Sequence, residues 1–255
     1  MKKFLSILLG VFVAGLCPVM AEPQELVVGT TSGYAPYVSL DAKGNYEGFD
    51  IDVARELAAK MGRKLVIKDF GSMPSLMLAL KQEKADVLIW AISITEERQK
   101  KMEMVYYQGE KVLEMPVLFW KEVPQGISSF QDLAKDSKKA ICVEAGSFQE
   151  DVVKKTPGIN LKYTDKITDA ILEIKYGKSQ GALIDPSLVS RFQKQYADIK
   201  VLRLPLAIED QSLGNGICVS KKNKELAAQV RKAIEALQAE GKIAELEKKW
   251  KLNND

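Results

Sequence analysis

Apolar residues in this chain fall into short runs separated by polar turns, and two periodicities alternate along its length. Leu26-Val27-Val28, Leu65-Val66-Ile67, Val87-Leu88-Ile89-Trp90, Ile141-Cys142-Val143 and Ala182-Leu183-Ile184 are continuous apolar runs of strand length. Between them, apolar positions recur at helical spacing. Examples are Ile51, Val53, Ala54, Leu57, Ala58 and Met61, and near the end Leu226, Val230, Ala233, Ile234 and Leu237, followed after Gly241 by Ile243, Leu246 and Trp250. Asp50 is positioned to cap the first of these helices, 74–82 and 168–176 predict two more, and 106–109 reads as a loop. Buried strands alternating with helices predict parallel sheets built from βαβ units, so the expected fold class is α/β.

One such series runs to residue 111 and a second occupies 112–208. A strand at 215–220 and the closing helices then return to the first. The pattern therefore divides the chain into a discontinuous lobe of 22–111 plus 209–255 and a second lobe of 112–208, joined by two strand-like hinge crossings. Open α/β sheets bind ligands in loops beyond the carboxyl ends of their strands. That rule selects the loop from Thr31 through Tyr34 to Tyr37.

Residues 1–21 read as a cleaved signal peptide: Lys2 and Lys3 precede the apolar stretch Phe4 to Leu16, and Val19-Met20-Ala21 resembles a cleavage site. Cys17 offers lipid anchoring as a second possibility, although Leu16 before it is bulky for that motif. Removing 21 of 255 residues leaves 234, enough for two modest domains.

Charge narrows the partners further. Without Lys2 and Lys3 the chain carries 35 basic residues against 34 acidic ones, so it lacks the basic excess of a nucleic-acid binder. It contains no histidine, which excludes His-based catalytic triads and His-rich metal centres. No metal or cofactor is expected. Cys142 and Cys218 lie in apolar strands of different lobes and are expected to be buried free thiols.

The chemistry concentrates in Ala91-Ile92-Ser93-Ile94-Thr95-Glu96-Glu97-Arg98. An apolar run ending at a hydroxyl, with Glu three places on, predicts a strand feeding a helix through the capping box Ser93-x-x-Glu96. Such a terminus attracts anions, and Arg98 adds a two-pronged donor suited to a carboxylate. The turn Gly146-Ser147-Phe148-Gln149 repeats this logic in the second lobe, with a capping box from Ser147 to Glu150. Asp185 is placed to cap the helix opened by Pro186.

Three separated motifs carry a family resemblance: Gly48-Phe49-Asp50-Ile51-Asp52, Ser93-x-Thr95-x-x-Arg98 and Lys248-Lys249-Trp250. Together they resemble the bacterial periplasmic polar amino-acid solute-binding proteins of ABC transporters, most nearly the arginine and basic amino-acid binders. The resemblance implies a two-lobed periplasmic-binding-protein type II fold. It also implies that Arg98 holds a ligand's α-carboxylate, that the Gly146-Ser147 turn meets the same group, that Asp185 accepts from the α-ammonium, and that Tyr34 stacks. Phe70 or Met73 stands where the family has a second pocket wall. Thr31, Trp90, Ala91, Phe148 and Gln149 complete the expected lining, and the Gly48–Asp52 signature is expected to be structural.

Glu144 suggests the ligand class. A carboxylate at this position suits a cationic side chain, because burying either charge alone is costly. The expected function is capture of a basic amino acid by lobe closure and delivery to an ABC permease, by a monomeric exported protein. Arginine is favoured, with lysine, ornithine or histidine also possible. Two alternatives remain open: an exported cyclohexadienyl dehydratase-like enzyme with Glu144 as its acid, and a binder of neutral amino acids such as glutamine.

Overall fold

A computed structural model describes residues 23–136 and 138–252. The expected signal peptide, with Cys17, lies outside the described residues. The first half contains β1 (Glu25–Thr30), the short hairpin β2 (Ser39–Leu40) and β3 (Tyr46–Glu47), α1 (Phe49–Lys60), β4 (Lys64–Asp69), α2 (Met73–Lys81), β5 (Val87–Leu88), α3 (Glu96–Lys101) and β6 (Glu103–Gln108). The second half contains β7 (Glu114–Trp120), α4 (Phe130–Leu133), β8 (Ile141–Glu144), α5 (Phe148–Val153), β9 (Leu161–Thr164), α6 (Ile167–Lys175), β10 (Gly181–Leu183), α7 (Val189–Gln195) and β11 (Ile199–Pro205). The chain closes with β12 (Asn215–Val219), α8 (Lys224–Ala239) and α9 (Lys242–Trp250).

Two five-stranded sheets result, ordered β4-β1-β5-β12-β6 and β11-β7-β10-β8-β9. The first sheet recruits β12 from the far end of the chain, so its lobe is discontinuous in sequence. The α/β expectation holds, but the sheets are mixed rather than parallel. In the first, β12 runs antiparallel to β5 and β6; in the second, β7 runs antiparallel to β10 and β11. The segment expected as a loop at 106–109 is largely strand β6. Its Met104, Val105 and Tyr107 are buried against the core, and β12 supplies its hydrogen-bonding partner.

The segments that pass between the sheets run side by side. Val112 N–H donates to Ser212 O at 2.9 Å, and Leu206 N–H to Leu113 O at 2.9 Å. Cys142 and Cys218 are buried free thiols in different sheets, as expected, and burial pushes Cys218 up to about 12.

The Gly48–Asp52 signature is structural, though not through the expected cap. Gly48 precedes the helix at φ 132°, and a Cβ there would lie 2.0 Å from the Tyr37 carbonyl oxygen. Only glycine lets α1 start against the aromatic loop. Phe49 is fully buried. Asp52 accepts from Lys249 Nζ at 2.6 Å and from Trp250 Nε1 at 2.8 Å, so two of the sequence motifs meet and fasten α9 to α1. Asp50 caps nothing. Its side chain is completely buried and turns toward the cleft floor.

Candidate functional site

The carboxyl ends of β1, β4 and β5 face those of β8 and β9 across a gap. The gap is lined by Thr31, Ser32, Gly33, Tyr34, Gly71 and Trp90 from one side and by Glu144, Asp165, Lys166 and Ile167 from the other. The free space within it is about 10 Å³, on the scale of a single water. A larger depression lies outside the first lobe, where Lys60, Arg63, Gln229 and Lys232 gather. There Arg63 donates to Gln229 at 2.8 Å and Lys60 to Glu240 at 2.6 Å. None of the candidate site residues lines it.

Arg98 is 5% exposed and spans the gap. Its Nη1 donates to Ser93 O at 3.2 Å on its own side. Its Nη2 donates to Gly146 O at 3.0 Å and to Asp151 Oδ2 at 3.3 Å on the other. Burial draws its pKa down while Asp151 opposes the shift. The helix that carries Arg98 is capped by Thr95, whose Oγ1 accepts from Arg98 N–H at 3.2 Å, and not by Ser93. Ser93 is held two residues earlier as an extended bridge to Asn215.

Ala91 begins this segment in the left-handed region, at φ 43°. Its N–H is occupied by Asp50 at 2.7 Å and cannot serve a ligand. Tyr107 Oη donates to the other Asp50 oxygen at 2.7 Å, and burial pushes Asp50 up to about 7 despite both bonds.

On the second lobe, Ser147 caps α5 by accepting from Glu150 N–H at 3.1 Å, as the capping box predicts. Glu150 reaches back to the N–H of Gly146, so that N–H is spent, while the Gly146 carbonyl meets Arg98. Gly146 adopts φ 74°, and a Cβ there would lie 3.2 Å from Met73 Cγ across the gap. Met73 is thus a contact between the two sides. The Phe148 side chain packs into the second core, and Gln149 is 7% exposed beside it.

Tyr34 and Trp90 form the aromatic wall, with ring centroids 5.1 Å apart and planes tilted by 49°. Thr31 is buried next to them. Tyr34 feels the charges of Asp185 and Glu144, which with its burial raise its pKa well above the ordinary value. Asp185 caps the single turn Pro186–Leu188 as expected, accepting from Ser187 N–H at 2.8 Å. Desolvation still raises its pKa.

Glu144 is 9% exposed and, among the described residues, has no cation or hydrogen-bond donor at its carboxylate. Burial, followed by the charges of Asp185 and Asp165, pushes it up to about 8. The gap therefore holds an acidic end formed by Glu144, Asp165 and Asp185, and the guanidinium of Arg98 lies at its edge.

Asp69 and Asp165 escaped the sequence reading. Asp69 ties the aromatic loop to the α2 turn, accepting from Ser32 N–H at 2.9 Å and from Gly71 N–H at 2.8 Å. Both acids end or follow strands at the cleft edge, so the strand-end rule applied to the Thr31–Tyr37 loop would have found them.

Two α/β lobes with a small polar cleft between their strand ends define a two-lobed ligand-binding protein. The match of residues 26–253 to the bacterial extracellular solute-binding proteins, family 3, shows that this chain belongs to that family. It is 31% identical over 234 residues to the probable ABC transporter arginine-binding protein ArtJ of Chlamydia trachomatis, covering 92% of this chain and 88% of that one. Among solved structures it is similar to an ancestral arginine-binding protein bound to arginine, with a TM-score of 0.77 and 29% identity over 90% of this chain and 99% of the other. It is also similar to the ancestral amino acid-binding protein AncCDT-1, described as a precursor of cyclohexadienyl dehydratase, with a TM-score of 0.74 and 25% identity over 89% and 94%. Among the described residues no helix is long and apolar enough to cross a membrane.

Proposed function

We propose that the protein captures a basic amino acid, arginine first, outside the cytoplasm and delivers it to an ABC-type permease. The observation that carries this is Glu144, a carboxylate buried in the cleft with no cation of its own. A guanidinium would neutralise it, and the Glu144 carboxylate would in turn offer two in-plane acceptors to the fork. Arg98 takes the α-carboxylate, Asp185 the α-ammonium, and the Tyr34–Trp90 wall packs along the methylene chain. The names of the arginine-binding relatives support the same ligand.

On this proposal the chain crosses between lobes near residues 109–113 and 206–212. Closure then presents the permease with a shape that the empty protein populates less. Micromolar affinity corresponds to about −8 kcal/mol, within reach of two charged anchors and an aromatic wall.

A thermal-shift screen across the common amino acids at one concentration tests the proposal, since a bound ligand raises stability by RT ln(1 + [L]/Kd). Arginine should give the largest shift. A larger shift with glutamine, or none with any amino acid, would remove it. The likeness to AncCDT-1 keeps an enzyme on this scaffold as the second reading. A Glu144 protonated at neutral pH would be its acid, and turnover of prephenate or arogenate would establish it.

A further inference from the structure

We infer that Asp165, with Thr164 beside it, is a second acidic arm of the cleft that makes the site select a guanidinium over an alkylammonium; this rests on the basic amino-acid reading above. Strand β9 lies at the edge of the second sheet and pairs with β8 so that Thr164 stands opposite Glu144. Registered residues on neighbouring strands project from the same face of a sheet. Thr164 therefore projects from the same face of the sheet as Glu144.

The Thr164 hydroxyl is buried and has no hydrogen-bond partner among the described residues. A buried hydroxyl left unpaired carries a desolvation cost that a bound donor removes. Asp165, the next residue, lines the same cavity and has neither ion-pair nor hydrogen-bond partner among the described residues. Its charge is felt at Glu144, so the two carboxylates share one space. Lys166 also lines the cavity, and no bond to Asp165 holds it there.

The donor geometry of the two cation types differs. A guanidinium spreads five N–H groups around a plane, so two can meet Glu144 while others remain for Asp165 and the neighbouring Thr164. An alkylammonium concentrates its donors at one point. It neutralises Glu144 and leaves the second arm unused. Asp165 thus contributes to arginine specifically, whereas Glu144 contributes to every basic ligand.

Calorimetry on full-length Asp165→Asn with arginine, lysine and glutamine tests this. Asp165 is exposed, so the variant is expected to fold. Arginine should weaken about five- to tenfold, the scale of a partly solvated charge-assisted bond. Lysine and glutamine should change by less than about twofold, and Asp165→Glu should recover part of the arginine loss. Equal losses for arginine and lysine, or no loss for arginine, would overturn the inference. Failure of the unmodified protein to bind any basic amino acid would instead remove the ligand assignment beneath it.

Discussion

The Asp50 carboxylate accepts the N–H of Ala91 at 2.7 Å and so fixes the residue at which the first sheet's chain turns into the cleft. Ala91 sits at φ 43°, a conformation disfavoured for any residue with a Cβ, and the bond from a fully buried carboxylate offsets that preference.

Asp50→Asn keeps the size of the side chain and replaces one acceptor by a donor, which then faces either Ala91 N–H or Tyr107 Oη. Denaturant unfolding should show a loss of about 1–3 kcal/mol, the cost of a buried polar group left unsatisfied. Arginine affinity should fall alongside it. A variant as stable as the parent would show that the turn at Ala91 holds without the carboxylate.

Glu144 predicts a pH dependence with a definite sign. Its pKa is raised in the folded protein from 4.5 to about 8, so the empty folded state holds a proton that the unfolded chain releases. This contribution to stability is complete below about pH 4.5 and is lost as pH rises through about 8. A cationic ligand requires the ionised form, so arginine binding should expel the proton. Affinity should then climb with pH by up to about tenfold per unit below 8 and level off above it. Glutamine should show no such climb. In Glu144→Gln the arginine slope should vanish and arginine and lysine should weaken selectively, as read by calorimetry in buffers of different ionisation enthalpy. Equal losses for glutamine and arginine would refute the assignment.

On the proposed function Arg98→Ala should abolish measurable binding of every amino acid, because it would remove the anchor proposed for the shared α-carboxylate. Arg98→Lys should retain weak binding, since an ammonium supplies the charge without the fork. Circular dichroism would separate this from unfolding, which matters because Arg98 also bonds Ser93 O and Gly146 O. Retained micromolar arginine binding in Arg98→Ala would show that the carboxylate is held elsewhere.

Much of the molecule was legible in the chain because its signals are local. The run Glu25 to Thr30 could only be a strand, the spacing of Leu226, Val230 and Leu237 only a helix face, and Ser147 with Glu150 capped α5 as the pattern required. Other local signals were ambiguous. Ser93 and Thr95 are both hydroxyl residues at the end of an apolar run, and capping rules alone did not choose between them. The choice was made by Asn215, more than a hundred residues away, which holds Ser93 in an extended bridge and leaves Thr95 to start the helix. Strand β6 was missed for the same reason, because its partner β12 arrives from the chain's far end.

The sequence by itself determined the alternating α/β elements, the crossing and return of the chain, and the residue types able to hold a zwitterion, since periodicity, caps and charge depend on neighbours a few positions apart. Only the tertiary structure decided which donors remain available: Ala91 N–H is taken by Asp50, Gly146 N–H by Glu150, and Arg98 reaches across to Asp151. It also brought Glu144 and Asp165 to one end of the cleft, with Thr164 in register beside Glu144. Hydrogen-bond saturation and burial depend on which strands become neighbours, and distant parts of the chain settle that only when the two sheets assemble.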